Sequence, residues 1–286
     1  PTEEEQRDPY NAENGATLAG GFTVVRLLGS GATAKVLKVK REDRDYALKV
    51  PHDDGCAARL VEEGRVLERL RHQHIIQLHE VLNLQGRRCL LLDYAGVGDG
   101  DKHHSSFADL LRAEGTLSLD KARRYGDDLL SAVQYLEEQG ITHRDIKPGN
   151  LGFTTQAKKA RHLTLYDFSL AAGEASATSV GTPEWRDPWL HHRGAWDCAA
   201  DRYAVACVLY RMLAGTRPEV ADRGPDQGKV AIEAERFDPA VRDRMLAFFQ
   251  RCFLEEADER YSSAELMRAD WAGIFSRLTA PVPARD

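Results

Sequence analysis

Short runs of β-forming residues begin at Phe22. Phe22 to Leu28, Lys35 to Lys40 and Tyr46 to Val50 are separated by a glycine-rich link and by the polar turn Arg41 to Asp45, a pattern that predicts an antiparallel meander. Between Ala57 and Arg71 the apolar residues Leu60, Val61, Val66, Leu67 and Leu70 recur at helical spacing, so one helix interrupts the strands. Two more strand-like runs follow, Ile75 to Leu82 and Cys89 to Tyr94, joined by Gln85-Gly86.

Beyond Tyr94 the polar stretch Gly96 to Ser106 breaks this periodicity, and helical spacing takes over downstream. In Leu119 to Gln139, Ala122, Tyr125, Leu129, Leu130, Val133 and Leu136 share one face, and Gly140 supplies a stop. Asp201 to Ala214 is apolar nearly all round, which predicts a helix buried on several sides. Asp238-Pro239 predicts another helix start, with Asp as the cap, and Ser262 with Glu265 form a capping-box pattern for the last long helix. The expected architecture is therefore α+β and bilobal. A small antiparallel-sheet N-lobe with one helix spans 20–92, and a larger, mainly helical C-lobe spans 93–279, with a cleft near Asp93 to Ala95. Residues 1–19 read as a leader and 280–286 as a linker tail.

Composition narrows the function classes. Apolar residues make up 42% and charged residues 29%, which suits a globular chain and excludes a disordered or disulfide-scaffold protein. No stretch reaches the roughly 18 apolar residues of a membrane span. A net charge of −6 offers no general basic footprint for nucleic acid. The five cysteines lack Cys-x-x-Cys spacing and read as reduced thiols. The first residues, Pro1-Thr2-Glu3-Glu4-Glu5, show no basic-then-apolar signal, so a cytoplasmic location is expected. The missing initiator Met suggests a module of a longer chain.

Four segments carry chemistry. Gly29-Ser30-Gly31-Ala32-Thr33-Ala34 lies between the first two strands, where small residues let backbone N–H groups approach a phosphate; alone, it is as easily an ordinary glycine turn. Lys49 ends a strand within an apolar run, where an ammonium needs a partner or must reach for solvent; Glu63 is the candidate counter-ion and Glu62 its competitor. His143 to Asn150 packs two cations, a carboxylate, a proline and an asparagine into eight residues after a helix stop, which a surface turn rarely needs. There Asp145 can accept a hydroxyl proton, Lys147 can stabilise charge on a transferring phosphoryl group, and Asn150 can ligate a hard cation. Asp167-Phe168 follows a strand-like run, and its acid suits Mg²⁺ better than it suits a simple turn cap once Asn150 and Asp145 lie upstream.

In this order, over residues of about 22 to 278, the segments resemble a eukaryotic-type (Hanks-type) protein kinase. The resemblance implies that Lys49 holds the α/β-phosphates and pairs with Glu63, that Asp145 is the catalytic aspartate, and that Asn150 and Asp167 hold Mg²⁺, with Mn²⁺ as a substitute. It places Leu28, Gly29, Ser30, Gly31, Ala34, Val36, Ala47, Leu92, Asp93, Tyr94, Ala95 and Leu151 around ATP. Lys147 and Gly181-Thr182-Pro183-Glu184 resemble the serine/threonine branch, with Thr182 counted in the catalytic group, and Asp201 resembles the acid that braces the catalytic loop. Three departures stand out: Ala34 replaces the third loop glycine, Ser169 the glycine after Asp167-Phe168, and Asp187-Pro188-Trp189 the usual Ala-Pro-Glu. The last leaves Arg260, which matches the arginine that normally pairs with that glutamate, without an assigned partner. Ser176, Thr178 and Ser179 are candidate phosphate acceptors, poised for Arg144. His103-His104 reads as solvated.

Ile146 to Gly152, Leu165 to Leu170, Trp196 to Tyr203 and Phe237 to Asp243 are similar to the kinase module of bacterial phage-growth-limitation (BREX-type) defence kinases. The expected activity is transfer of the ATP γ-phosphoryl to protein serine or threonine hydroxyls, with other proteins or the chain itself as substrate and neither nucleic acid nor membrane as partner. The alternatives are a silent nucleotide-binding pseudokinase and a small-molecule phosphotransferase.

Overall fold

The structure, a computed structural model, describes residues 8–96, 106–155, 161–221 and 228–276. It divides into two compact units: the chain up to Gly96 together with Tyr166–Gly173, and the remainder. His103-His104 and the tail 280–286 lie outside the described residues.

The first unit is built on an antiparallel sheet in the order β1 (Thr17–Leu18), β2 (Phe22–Ser30), β3 (Ala34–Arg41), β4 (Arg44–Pro51), β6 (Arg87–Asp93) and β5 (Leu78–Leu84). Directly paired residues of antiparallel strands share a face. The pairs Leu37↔Leu48, Val39↔Tyr46 and Leu48↔Leu91 therefore put these side chains together, and they form a core with Phe22, Val24, Val50 and Cys89. The pairs Val36↔Lys49, Ala47↔Leu92 and Lys49↔Leu90 line the opposite face. A slip of one residue would exchange the two sets, so burial of the first fixes the register that presents the second.

Helix α1 (Asp54–Glu68) starts three residues before its apolar pattern because Asp53 caps it, accepting the Cys56 N–H at 2.8 Å. Leu60, Glu63, Gly64 and Leu67 are its buried residues. A side chain at Gly64 would crowd Leu90 of β6, so the glycine lets the helix lie close to the sheet. The described part of the leader also packs: Leu18 pairs with Phe22, and Ala12 and Leu18 enter the core. Two isolated apolar residues in a polar stretch give no periodicity, which is why the sequence reads as a loose lead-in.

The second unit contains α2 (Phe107–Glu114), α3 (Leu119–Glu138), a hairpin of β7 (Leu151–Thr155) and β8 (Arg161–Leu165), the short α4 (Leu190–Arg193), α5 (Cys198–Ala214), α6 (Arg242–Cys252) and α7 (Ala264–Ser276). The buried helix α5 begins earlier than its apolar run because Asp197 caps it through the Ala200 N–H at 2.8 Å. Tyr210 of α5 meets Phe237, Phe249 and Phe253 edge to face. At Gly126 of α3 an added Cβ would collide with the Trp271 indole, so this glycine admits α7.

Two helix starts differ from expectation. Asp238 accepts the Ala240 N–H in a turn ahead of α6, and the helix itself begins at Arg242. The cap of α7 is Ser263, whose hydroxyl accepts the Leu266 N–H at 3.2 Å, while the first helical N–H, that of Ala264, donates to Glu137 of α3 at 2.6 Å. The tertiary acceptor takes the place of the expected Ser262–Glu265 box. Upstream, Ser106 and Asp109 do form a capping box, on α2. No helix of the described residues is long and apolar enough to cross a membrane.

Candidate active site

In the first unit, Lys49 does not end its strand but lies within β4, which runs two residues beyond it; Lys49 is 7% exposed, and Glu63 of α1 is 1% exposed. The Lys49 ammonium donates to both Glu63 oxygens, at 2.9 and 2.7 Å, and to Asp167 Oδ1 at 2.8 Å. Burial pulls the Lys49 pKa down, but the two carboxylates outweigh it and raise it above the ordinary value, so the ammonium stays charged. Glu62 instead pairs with Arg65 on the exposed side of α1, which decides between the two candidate acids. Asp167 adopts φ 66°, a left-handed conformation that Asp tolerates. The left-handed residue is thus Asp167, and Ser169, two positions on, occupies a conformation that needs no glycine.

The β2–β3 turn is closed by the Gly31 N–H donating to the Ala34 carbonyl at 2.9 Å, and the pairs Gly29↔Val36 and Ser30↔Lys35 continue from it. Leu28 is half-buried and Ala34 buried. Val36, Ala47 and Leu92 share the face of Lys49. At the end of β6 the Asp93 carboxylate is held by His79 at 2.6 Å and Arg44 at 2.9 Å, and the Tyr94 hydroxyl accepts from Arg26 at 3.2 Å; Ala95 follows, half-buried. The sequence reading missed Lys38. It lies on the Val36 face, fully buried, with its ammonium 2.9 Å from Asp45 and 4.7 Å from the centre of the Tyr94 ring. Its place in the strand alternation, in register with Ala47, is the signal that could have found it.

In the second unit, Asp145 sits in a dense hydrogen-bonded set. Thr182 donates to its Oδ1 from the hydroxyl at 2.7 Å and from the backbone at 3.0 Å. Lys147 lies 2.7 Å from Oδ2 and 2.6 Å from the Thr182 hydroxyl, and the Asn150 amide donates to Oδ2 at 2.9 Å and to the Asp145 carbonyl at 2.8 Å. Burial opposes ionisation of Asp145, but the hydrogen bonds from Lys147, Thr182 and Asn150 outweigh it and hold the carboxyl below its ordinary range. Leu151, fully buried, begins β7 opposite Leu165.

The loop is braced from beneath by Asp201 of α5, whose two oxygens accept the His143 and Arg144 backbone N–H groups at 2.5 and 3.0 Å. Burial pushes the Asp201 carboxyl up to about 6, against those bonds. Gly181 has φ 81°, and an added Cβ would strike the Arg144 carbonyl oxygen, so a glycine is required to bring Thr182 to Asp145. The Arg144 guanidinium donates to the Glu174 carbonyl at 3.0 Å and to the Thr142 hydroxyl at 3.1 Å. Around Ser176, Thr178 and Ser179 the backbone is held by Trp196, which donates to the Ala175 and Ala177 carbonyls, and by Arg186, which donates to the Ser179 carbonyl.

The unassigned partner of Arg260 is Asp187. The guanidinium lies 2.6 Å from Asp187 Oδ2, both groups are buried, and Arg193 donates to the same oxygen at 2.8 Å. The acid has moved two positions ahead of Trp189, and the indole at that position lies 5.4 Å from the guanidinium. The structure thus gathers Lys49, Glu63 and Asp167 in one unit, and Asp145, Lys147, Asn150 and Thr182 in the other.

A sequence model of the protein kinase domain matches residues 22–272. "Probable kinase PglW" of Streptomyces coelicolor is 37% identical over 310 positions, covering 97% of this chain and 20% of that protein. The serine/threonine-protein kinase PknJ of Mycobacterium tuberculosis is 29% identical over 92% of this chain and 47% of its own length. This chain therefore spans only a fifth to a half of these relatives. The crystal structure of the Mycobacterium tuberculosis PknI kinase domain superimposes with a TM-score of 0.65 at 24% identity, covering 92% of this chain and 99% of that one, which shows the fold.

Proposed function

The chain belongs to the protein kinase family, as a serine/threonine kinase module, and from that premise we propose how its residues move the γ-phosphoryl of ATP to a protein hydroxyl. The observation that carries the reading is the Asp145 carboxylate, kept ionised by Lys147, Thr182 and Asn150. An ionised acid there accepts the proton of the substrate hydroxyl as its oxygen bonds to phosphorus and the bond to the ADP oxygen breaks. Lys147 faces the charge on the transferring group. Lys49, kept charged and oriented by Glu63, holds the α/β-phosphates, with Val36, Ala47, Leu92 and Leu151 around the base.

Divalent metal use is general to the family; we assign Mg²⁺, with Mn²⁺ as a substitute, to Asn150 and Asp167. The donor set fits. The Asn150 amide nitrogen is committed to Asp145, which leaves the amide oxygen as its donor to a cation, and the Asp167 side chain is 36% exposed. The cation supplies neutralisation of phosphate charge.

The resemblance of Ile146 to Gly152, Leu165 to Leu170, Trp196 to Tyr203 and Phe237 to Asp243 to phage-growth-limitation kinases, together with the similarity to "Probable kinase PglW", extends the proposal. The chain serves phage defence as part of a longer cytoplasmic protein, and phosphorylates protein substrates that include itself, with Ser176, Thr178 and Ser179 as acceptors. The test is transfer of radiolabel from ATP to the chain and to a generic basic protein, wild type beside Asp145→Asn. Label that persists undiminished in the variant contradicts the assigned role.

A further inference from the structure

The segment before β1 reaches the phosphate turn through one histidine. His52, just past the end of β4, has its Nε2 2.8 Å from the Gly31 carbonyl oxygen at the tip of the β2–β3 turn. A carbonyl only accepts, so Nε2 carries the proton. In the neutral ring Nδ1 is then an acceptor, and the Tyr10 hydroxyl lies 3.1 Å from it. The two rings meet edge to face, with centroids 5.7 Å apart. The backbone N–H of His52 also donates to the Thr33 carbonyl at 3.2 Å, so the same residue grips the turn twice.

Tyr10 is itself held on several sides. Lys35, in the first pair after the turn, donates to the Tyr10 carbonyl at 2.7 Å and sits 5.1 Å from the ring centre. Arg87 of β6 lies 5.1 Å from the same ring and donates to Asp8 at 3.0 Å. A residue outside the β2–β4 meander is thus fastened to β3 within it and to β6 of the same sheet, and reports onto the turn tip.

The consequence follows from peptide planarity. The Gly31 carbonyl and the Ala32 N–H belong to one rigid trans unit and point in opposite directions. The Gly31 N–H is already committed to Ala34. Once His52 fixes the carbonyl, the direction of the Ala32 N–H is fixed as well, in a glycine-containing turn that would otherwise sample many orientations. We propose that Tyr10 and His52 are positioning residues for ATP: Tyr10 orients His52, and His52 sets the Gly31–Ala32 peptide so that its N–H faces the phosphates. This rests on the reading that the β2–β3 turn covers the triphosphate.

Titration calorimetry with two probes tests it: a non-hydrolysable magnesium–ATP analogue, and adenosine, which has no phosphates. His52→Ala should raise the Kd for the analogue about three- to tenfold, the span of one net hydrogen bond. Tyr10→Phe, which keeps the ring and its cation contacts, should raise it about two- to threefold on the same scale. Adenosine affinity should stay within error in both. Since Tyr10 acts through His52, adding Tyr10→Phe to His52→Ala should cost nothing further. Unchanged analogue affinity in both single variants, equal loss for adenosine and analogue, or additive single effects each overturn the relay while leaving the ATP reading intact. A wild-type chain that takes neither probe overturns that reading, and the relay with it. If His52→Ala fails to fold, the contrast between the two probes in Tyr10→Phe decides the matter.

Discussion

Glu63 receives the Lys49 ammonium and the Phe168 backbone N–H on the same oxygen, at 2.9 and 3.2 Å. One buried carboxylate thereby holds both the strand lysine and the backbone beside Asp167. Glu63→Gln keeps the shape and removes the charge. Charge-assisted hydrogen bonds of this kind contribute about 1.5–3 kcal/mol, so kcat/KM should fall roughly ten- to hundredfold in steady-state assays. An unaltered value would remove Glu63 from the machinery.

Asp145→Asn replaces the proton acceptor with a group that still accepts from Thr182. The phosphoryl-transfer rate should drop about 10²- to 10⁴-fold, the usual range for loss of a general base. Melting should also fall somewhat, because the new amide NH2 faces the Lys147 and Asn150 donors that Oδ2 now accepts from, and single-turnover transfer beside a melting curve separates the two effects.

Asp187 is the acid that Arg260 lacked in the sequence. Removing one partner of a buried ion pair strands the other, at a cost of about 3–5 kcal/mol. Asp187→Ala should lower stability to urea by that order, and Asp187→Ala with Arg260→Met by less than the sum of the single changes. Trp189→Ala should lose packing but leave the ion pair. Additive losses in the double variant would mean that the pair is not coupled.

Asp201 gives a pH signature. Its folded pKa, about 6, lies above the ordinary 3.8, so the stability it contributes is fully present below about pH 3.8 and is lost as pH rises through 6. A shift of this size corresponds to a change on the order of 3 kcal/mol across that window. Asp201→Asn removes the titration and leaves one backbone N–H facing an amide donor. The wild type's advantage over this variant in urea melts should therefore shrink from pH 4 to pH 7; parallel pH profiles would refute the assignment.

Phosphate on Ser176, Thr178 or Ser179 would bring about −1.5 to −2 charge near Arg144, now bound to the Glu174 carbonyl. Incubation with Mg-ATP should add increments of about 80 Da to the peptide that spans these residues, following the chemistry of phosphorylation. Arg144→Ala should blunt any accompanying gain in rate. An active preparation with no added mass would end the case for a switch here.

The sequence by itself determined what depends on near neighbours. Strand alternation from Phe22 to Val50, the glycine turn, the apolar face of α3, and the charge density of His143 to Asn150 are readable because their causes act over a few residues. They were enough to nominate Lys49, Asp145, Asn150 and Asp167. Only the tertiary structure decided pairings between distant segments. Lys49 meets Asp167 across 118 positions, Glu63 rather than Glu62 turns inward, Arg260 finds Asp187 across 73, and Glu137 of α3 takes the Ala264 N–H at the start of α7. Tyr10 reaches His52 from a stretch that looked like a loose leader. Such contacts leave no local signal, because each is fixed by the packing of whole elements: the register of β4 with β6, the closeness that Gly64 and Gly126 allow, and the turn that only Gly181 can make.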